Sequence, residues 1–142
     1  MGKLSKVARE KYHISGVVQH GASTLPDDAF DLFTKNGASE VHLATGFQNI
    51  IYDNPAFPQD LKKEIYSHLI QKHSDERKPT DTEEQFIYKT RKKGFGPFKE
   101  RIWTLPEDRK KAIMDETEKR VDLYFDKLNA RNNKDIVTKF VR

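Results

Sequence analysis

The sequence predicts an α/β fold: one parallel βαβ unit followed by a run of helices. Three observations lead there. Ile14–Gln19 is a short β-branched run of the kind found in strands covered on both faces, and Glu40–Ala44 is a second short strand with Val41 and Leu43 on one face and His42 on the other. Between them lies a helix with its own start and stop signals. A crossover of that length makes the two strands parallel, which places ligand-binding loops at their carboxyl ends.

Taken in order, Leu4–Tyr12 predicts a helix with an apolar stripe of Leu4, Val7 and Ala8 among basic residues. Gly21–Asp27 then reads as a polar turn opening a helix, with Thr24 placed to cap, Pro26 in the first turn and Asp27 and Asp28 beside the positive dipole end. Phe30 and Phe33 point that helix inward, and Asn36-Gly37 ends it by supplying left-handed backbone. Downstream, Leu61, Ile65, Leu69 and Ile70 recur at helical spacing within Pro58–His73. Phe86 and Ile87 do so within Glu83–Lys93, and Ile113, Val121, Tyr124, Phe125 and Leu128 within Pro106–Arg131. Thr80 with Glu83 and Thr104 with Glu107 have the spacing of capping boxes. Asn133–Arg142 predicts a last short amphipathic helix, and His73–Thr82 a linker. The expected division is therefore 1–75, holding both strands, and 76–142, a helical extension.

Composition narrows the chemistry. The chain has 142 residues, 34% of them charged and 35% hydrophobic, and its nine Phe, five Tyr and one Trp let a modest apolar fraction still build a core. No apolar run approaches the roughly 18 residues of a membrane helix, and Met1–Lys11 lacks the apolar centre of a secretory signal, so a soluble, cytoplasmic protein is expected. The absence of cysteine removes disulfides, thiolate nucleophiles and thiolate metal sites, leaving His, Asp and Glu as strong metal ligands. Net charge is +4, and the excess gathers in Gln85–Arg101, where Lys89, Arg91, Lys92, Lys93, Lys99 and Arg101 face only Glu100. That segment is either a site for an anionic partner or a solvated helix face. Its Phe95 and Phe98 mix aromatics with charge, but no repeated stacking platform for nucleic-acid bases is present, so nucleic acid is not expected as a partner.

The two predicted strands end near His20 and His42–Gly46. Imidazoles on one rim can converge on a single metal ion, so His20 is either a metal ligand or a hydrogen-bonded rim histidine, and His42 either a ligand or a packed strand residue. Gly21, Ser23 and Thr24 form either an anion cradle or a capped turn.

Val17-Val18-Gln19-His20-Gly21-Ala22-Ser23 resembles the class II, zinc-dependent fructose-bisphosphate aldolases, whose seventh barrel strand ends in a His-Gly-Gly-Ser motif. Glu40-Val41-His42-Leu43-Ala44-Thr45-Gly46-Phe47-Gln48 is similar to that family's eighth strand, with its Asn-x-Asp-Thr-x-x-Gln pattern, and Tyr88-Lys89-Thr90-Arg91 resembles its Tyr-x-x-Arg segment. The resemblance implies the carboxyl-terminal part of a TIM (β/α)8 barrel, its last two β/α units, followed by a helical extension. A whole barrel takes about 250 residues. It further implies a zinc-assisted lyase making or breaking a carbon–carbon bond of a ketose bisphosphate, with His20 on the Zn2+ and Gly21, Ser23, Thr45 and Arg91 on substrate phosphate. Where the family has asparagine and aspartate, this chain has His42 and Ala44, which makes His42 a candidate substrate contact. The family's remaining zinc ligands and general base match nothing in this chain, so no catalytic residue is assigned within it. The implied partners are a phosphorylated sugar and either further copies of the chain or an amino-terminal barrel segment. The other readings are a non-catalytic subunit that completes a partner chain and a phosphate- or RNA-binding module.

Overall fold

The computed structural model describes residues Met1–Val141. Its elements run α1 (Gly2–Tyr12), β1 (Val17–Gln19), α2 (Asp31–Lys35), β2 (Ala38–Val41), α3 (Thr45–Asp53), α4 (Gln59–Lys72), α5 (Glu83–Thr90), α6 (Lys99–Trp103), α7 (Glu107–Lys127) and α8 (Lys134–Phe140). The contacts divide the chain into two units, Met1–Phe47 with Glu116–Arg142, and Gln48–Asp115, where the sequence predicts one boundary after residue 75.

The expected barrel portion does not form. Helix makes up 66% of the structure, and strand only 5% in two short parallel segments, so the fold is a small, mostly helical one rather than part of a TIM barrel. The physical reason lies in what a parallel sheet requires. Such strands persist as layers when both faces are covered and several neighbours share the ladder. Here β1 and β2 pair only with each other, in the register Val17↔Ala38, Val18↔Glu40 and Gln19↔Val41, with an irregularity after Val17. Val18 stays exposed on one face. The predicted strand Ile14–Gln19 shrinks to its last three residues, and Glu40–Ala44 gives way after Val41, with α3 beginning at Thr45.

The first unit, Met1–Phe47 with Glu116–Arg142, packs around Ala22, Phe30, Phe33 and Tyr124, flanked by Ala38, Val41, Leu43, Phe47 and Leu128. Tyr124 stacks on Phe30 with ring centroids 4.8 Å apart, and Phe33 meets Phe30 edge-on at 5.4 Å. The predicted helix from Thr24 becomes two 3-10 turns, Ala22–Thr24 and Asp27–Ala29, and the five-residue α2. Thr24 caps nothing, because Pro26 takes an extended backbone (φ −58°, ψ 149°) that interrupts the helix before it can propagate. In α1 the buried face is Ser5 and Ala8, while Leu4 and Val7 are exposed. Polar contacts turn the helix that way: Ser5 Oγ donates to the Gly37 carbonyl, and Arg9 Nη1 reaches the same oxygen at 3.3 Å and Ser15 O at 3.4 Å.

The second unit, Gln48–Asp115, has the larger core, with Tyr52, Phe57, Leu61, Ile65, Leu69, Phe86, Ile87, Phe98, Leu105 and Ile113 buried. Its periodic helices appear where the apolar spacing predicts them, since each offers one stripe to that core. The capping box of α5 is Thr82 with Gln85, not Thr80 with Glu83: Thr82 Oγ1 accepts from Gln85 N at 3.2 Å and Gln85 Oε1 accepts from Thr82 N at 3.1 Å. Thr104 donates instead to Glu100 O at 2.9 Å, at the end of α6. Gly94 is a packing requirement, for a Cβ there would collide with Ile65 and lie 2.9 Å from the Tyr52 hydroxyl. The predicted last helix is α8, and its predicted final residue, Arg142, lies outside the described residues. Among the described residues no helix is long and apolar enough to cross a membrane.

Candidate functional site

Parallel pairing of β1 and β2 sets their carboxyl ends side by side. The ladder extends one step past β2, where His42 N–H donates to Gln19 O at 2.8 Å. His20 and His42 are thereby neighbours, their rings edge to face with centroids 4.4 Å apart and planes at 80°.

Beyond His20 the chain must reverse. Gly21 does this in the left-handed region, at φ 71° and ψ 18°, a backbone costing other residues roughly 1–2 kcal/mol. A Cβ at Gly21 would meet nothing within 4 Å, so the conformation and not crowding calls for glycine. Ala22, fully buried, pins the turn into the core, and Ser23 follows at its top. Ser23 Oγ accepts a hydrogen bond from Ala44 N–H at 3.1 Å, which ties the loop after β1 to the loop after β2. Because that bond uses an oxygen lone pair, the Ser23 hydroxyl hydrogen stays available as a donor. Thr45 opens α3 immediately after Ala44.

These groups line one cleft of about 580 Å³: His20, Gly21, Ser23, His42 and Thr45, with Leu43 at its apolar side. Among the described residues no carboxylate lines it. The structure thus brings together five of the six residues that the resemblance assigns, whereas Thr24, read with Gly21 and Ser23 as a cradle, does not line the cleft. Two imidazoles are half of a tetrahedral zinc set, and among the described residues no three His, Asp or Glu side chains are grouped to hold a metal ion. Those two imidazoles alone do not make a zinc site.

Arg91, the sixth, belongs to the second unit and is buried there, with a side chain 6% exposed. Its guanidinium donates to Asn49 Oδ1 through Nη2 and lies 3.5 Å from Asp53 Oδ1 through Nη1. It also sits over the rings of Tyr88 at 4.8 Å and Tyr52 at 5.6 Å, and Tyr52 in turn donates to the Arg91 carbonyl at 2.9 Å. Neighbouring cations are paired too. Lys89 reaches Asp81 at 2.5 Å, Lys93 bonds Glu76, and Arg101 reaches Glu64 at 2.6 Å. The lysine hydrogen bonds hold the Glu76 and Asp81 carboxyls below the usual range, each mainly through its own lysine.

No protein-family model, curated protein or solved structure matches this chain.

Sequence reasoning missed Glu40. Its Oε1 hydrogen-bonds His42 Nε2, so the imidazole is held from outside the cleft. The signal was present, since residues two apart along an extended segment face the same side. The opposite set, Val41 and Leu43, packs against the first unit's core.

Proposed function

We propose that the chain supplies the phosphate-binding rim of a class II aldolase-type lyase, acting on a ketose bisphosphate by making or breaking a carbon–carbon bond. One observation carries the reading: His20, Gly21, Ser23, His42 and Thr45, the residues of the two motif segments, line a single cleft at the carboxyl ends of parallel strands.

In this reading Ser23 donates its hydroxyl hydrogen to a phosphate oxygen while the Ala44 amide holds its oxygen in place. Gly21 keeps the approach to the rim open, since no side chain projects there. Thr45 adds a hydroxyl at the start of α3. His20 would hold a zinc ion together with donors from outside this chain, and the ion would supply a Lewis acid there. The missing donors and the general base make association with another chain, or with further copies of this one, part of the proposal. Arg91 is left out of the phosphate site because its guanidinium is engaged by Asn49 and Asp53. In the basic segment around it, Lys89, Lys93 and Arg101 reach Asp81, Glu76 and Glu64 of the same unit.

The test is a calorimetric titration of the wild-type chain and Ser23→Ala with fructose 1,6-bisphosphate and with fructose. The bisphosphate should bind the wild type more tightly, and Ser23→Ala should weaken it by roughly 1.5–3 kcal/mol, the worth of a hydrogen bond to a charged oxygen, with little effect on fructose. Equal losses for both ligands would sink the phosphate assignment.

A further inference from the structure

The contact between Glu40 and His42 assigns the pair a division of labour. A neutral imidazole carries one N–H and one bare nitrogen, and which is which follows from the partner that one of them already has. Glu40 presents a carboxylate oxygen, an acceptor only, to His42 Nε2. Nε2 is therefore protonated, and in the neutral ring Nδ1 carries the lone pair. Nδ1 has no hydrogen-bond partner among the described residues, and His42 lines the cleft while Glu40 does not. The ring's tilt is constrained from a second side by the face-to-edge contact with His20.

We infer that Glu40 is a positioning residue that fixes the tautomer and orientation of His42, so that Nδ1 stands in the cleft as a hydrogen-bond acceptor for a hydroxyl of the bound ligand. The rest of the rim complements this. Ser23 and Thr45 bring hydroxyl donors suited to phosphate oxygens, whereas a bare imidazole nitrogen repels an anion's lone pairs and accepts only from an O–H or N–H. The site then distinguishes two parts of one molecule, an anionic end at Ser23 and Thr45 and a hydroxyl-bearing carbon at His42. A phosphorylated polyol or ketose has both, whereas inorganic phosphate has only the first. The ligand half of this inference rests on the function proposed above; the tautomer half stands on the geometry alone.

Both halves are tested on the full chain. At about pH 9, where an ordinary imidazole is neutral, long-range 15N–1H spectra identify each histidine tautomer directly. His42 should be predominantly the Nε2–H form in the wild type and in Glu40→Gln, whose amide oxygen still accepts, and a mixture in Glu40→Ala. An Nδ1–H wild type, or a His42 pattern that Glu40→Ala leaves unchanged, overturns the positioning role. Titrations with fructose 1,6-bisphosphate and with inorganic phosphate test the ligand half. Glu40→Ala should bind the bisphosphate about tenfold more weakly, the equivalent of one hydrogen bond, while its affinity for inorganic phosphate holds. Glu40→Gln should recover most of that loss. Equal weakening for both ligands, or none for either, overturns hydroxyl recognition. A wild-type chain that binds neither ligand overturns the proposed function and the ligand half together, and the spectra alone then decide for or against Glu40.

Discussion

Replacing Arg91 separates a ligand-binding arginine from one that holds its own unit together. Its side chain is 6% exposed, its guanidinium donates to Asn49, and the Asp53 carboxylate that pairs with it is 56% exposed. Arg91→Ala removes two buried methylenes, roughly 1.6 kcal/mol at about 0.8 each, and a charge-assisted hydrogen bond worth roughly 1.5–3 kcal/mol. The half-exposed ion pair adds roughly 0–1 kcal/mol. Against these stands Arg91 Nε, which is buried without a partner among the described residues and whose removal returns roughly 1–3 kcal/mol. The net expectation is a loss of about 2 kcal/mol. Arg91→Met keeps most of the apolar stem and also removes the orphaned Nε, so its loss should be nearer 1 kcal/mol. Urea unfolding followed by far-ultraviolet circular dichroism reads both. At a slope of about 2 kcal/mol per molar, Arg91→Ala should lower the midpoint by about 1 M and Arg91→Met by about 0.5 M. An unchanged midpoint in Arg91→Ala, together with lost affinity for fructose 1,6-bisphosphate, would refute the internal role and return Arg91 to the substrate.

Three further outcomes are expected. The purified chain with added zinc should show no cleavage of fructose 1,6-bisphosphate, because no carboxylate lines the cleft and fewer than three metal donors converge; turnover abolished by His20→Ala would contradict this. Burial raises the Tyr52 phenol above its ordinary pKa of about 10, with Tyr66 adding to the rise and Arg91 opposing it, so the group stabilises fully below that value. As pH climbs from there towards the folded-state pKa, the unfolded chain loses the proton first and stability falls by up to about 1.4 kcal/mol per pH unit; Tyr52→Phe should flatten the fall in urea midpoint between about pH 9 and 11, and an equal slope would rule the cause out. Gly94→Ala should destabilise by roughly 1–3 kcal/mol, since its Cβ meets Ile65 and the Tyr52 hydroxyl; a thermal midpoint equal to the wild type's would show that α4 yields freely there.

What the sequence determined by itself is the local part of the protein. Apolar spacing in α4, α5 and α7 marks the faces that the cores bury, and Asn36-Gly37 stops α2. The β-branched run ending at Gln19 and the alternation of Val41, His42 and Leu43 suffice to put His20 and His42 at neighbouring strand ends. Those signals act over a few residues, where side-chain periodicity and backbone preference dominate. The extent of the sheet was not legible, because a motif of seven or nine residues states what stands at a strand end and not how many strands pair beside it; only the tertiary structure stops the ladder at two. Thr80 with Glu83 and Thr82 with Gln85 both have the capping-box spacing at the start of α5, and the choice of Thr82 depends on where Gln85 comes to rest. Charge misleads most. Lys89, Arg91, Lys93 and Arg101 form one basic block along the chain, yet Asp81, Asp53, Glu76 and Glu64 reach them from 8 to 38 residues away, and Asn49 meets Arg91 from 42. Coulomb attraction acts through space, so whether a cation is offered to a ligand or held inside the fold depends on which carboxylates folding brings beside it.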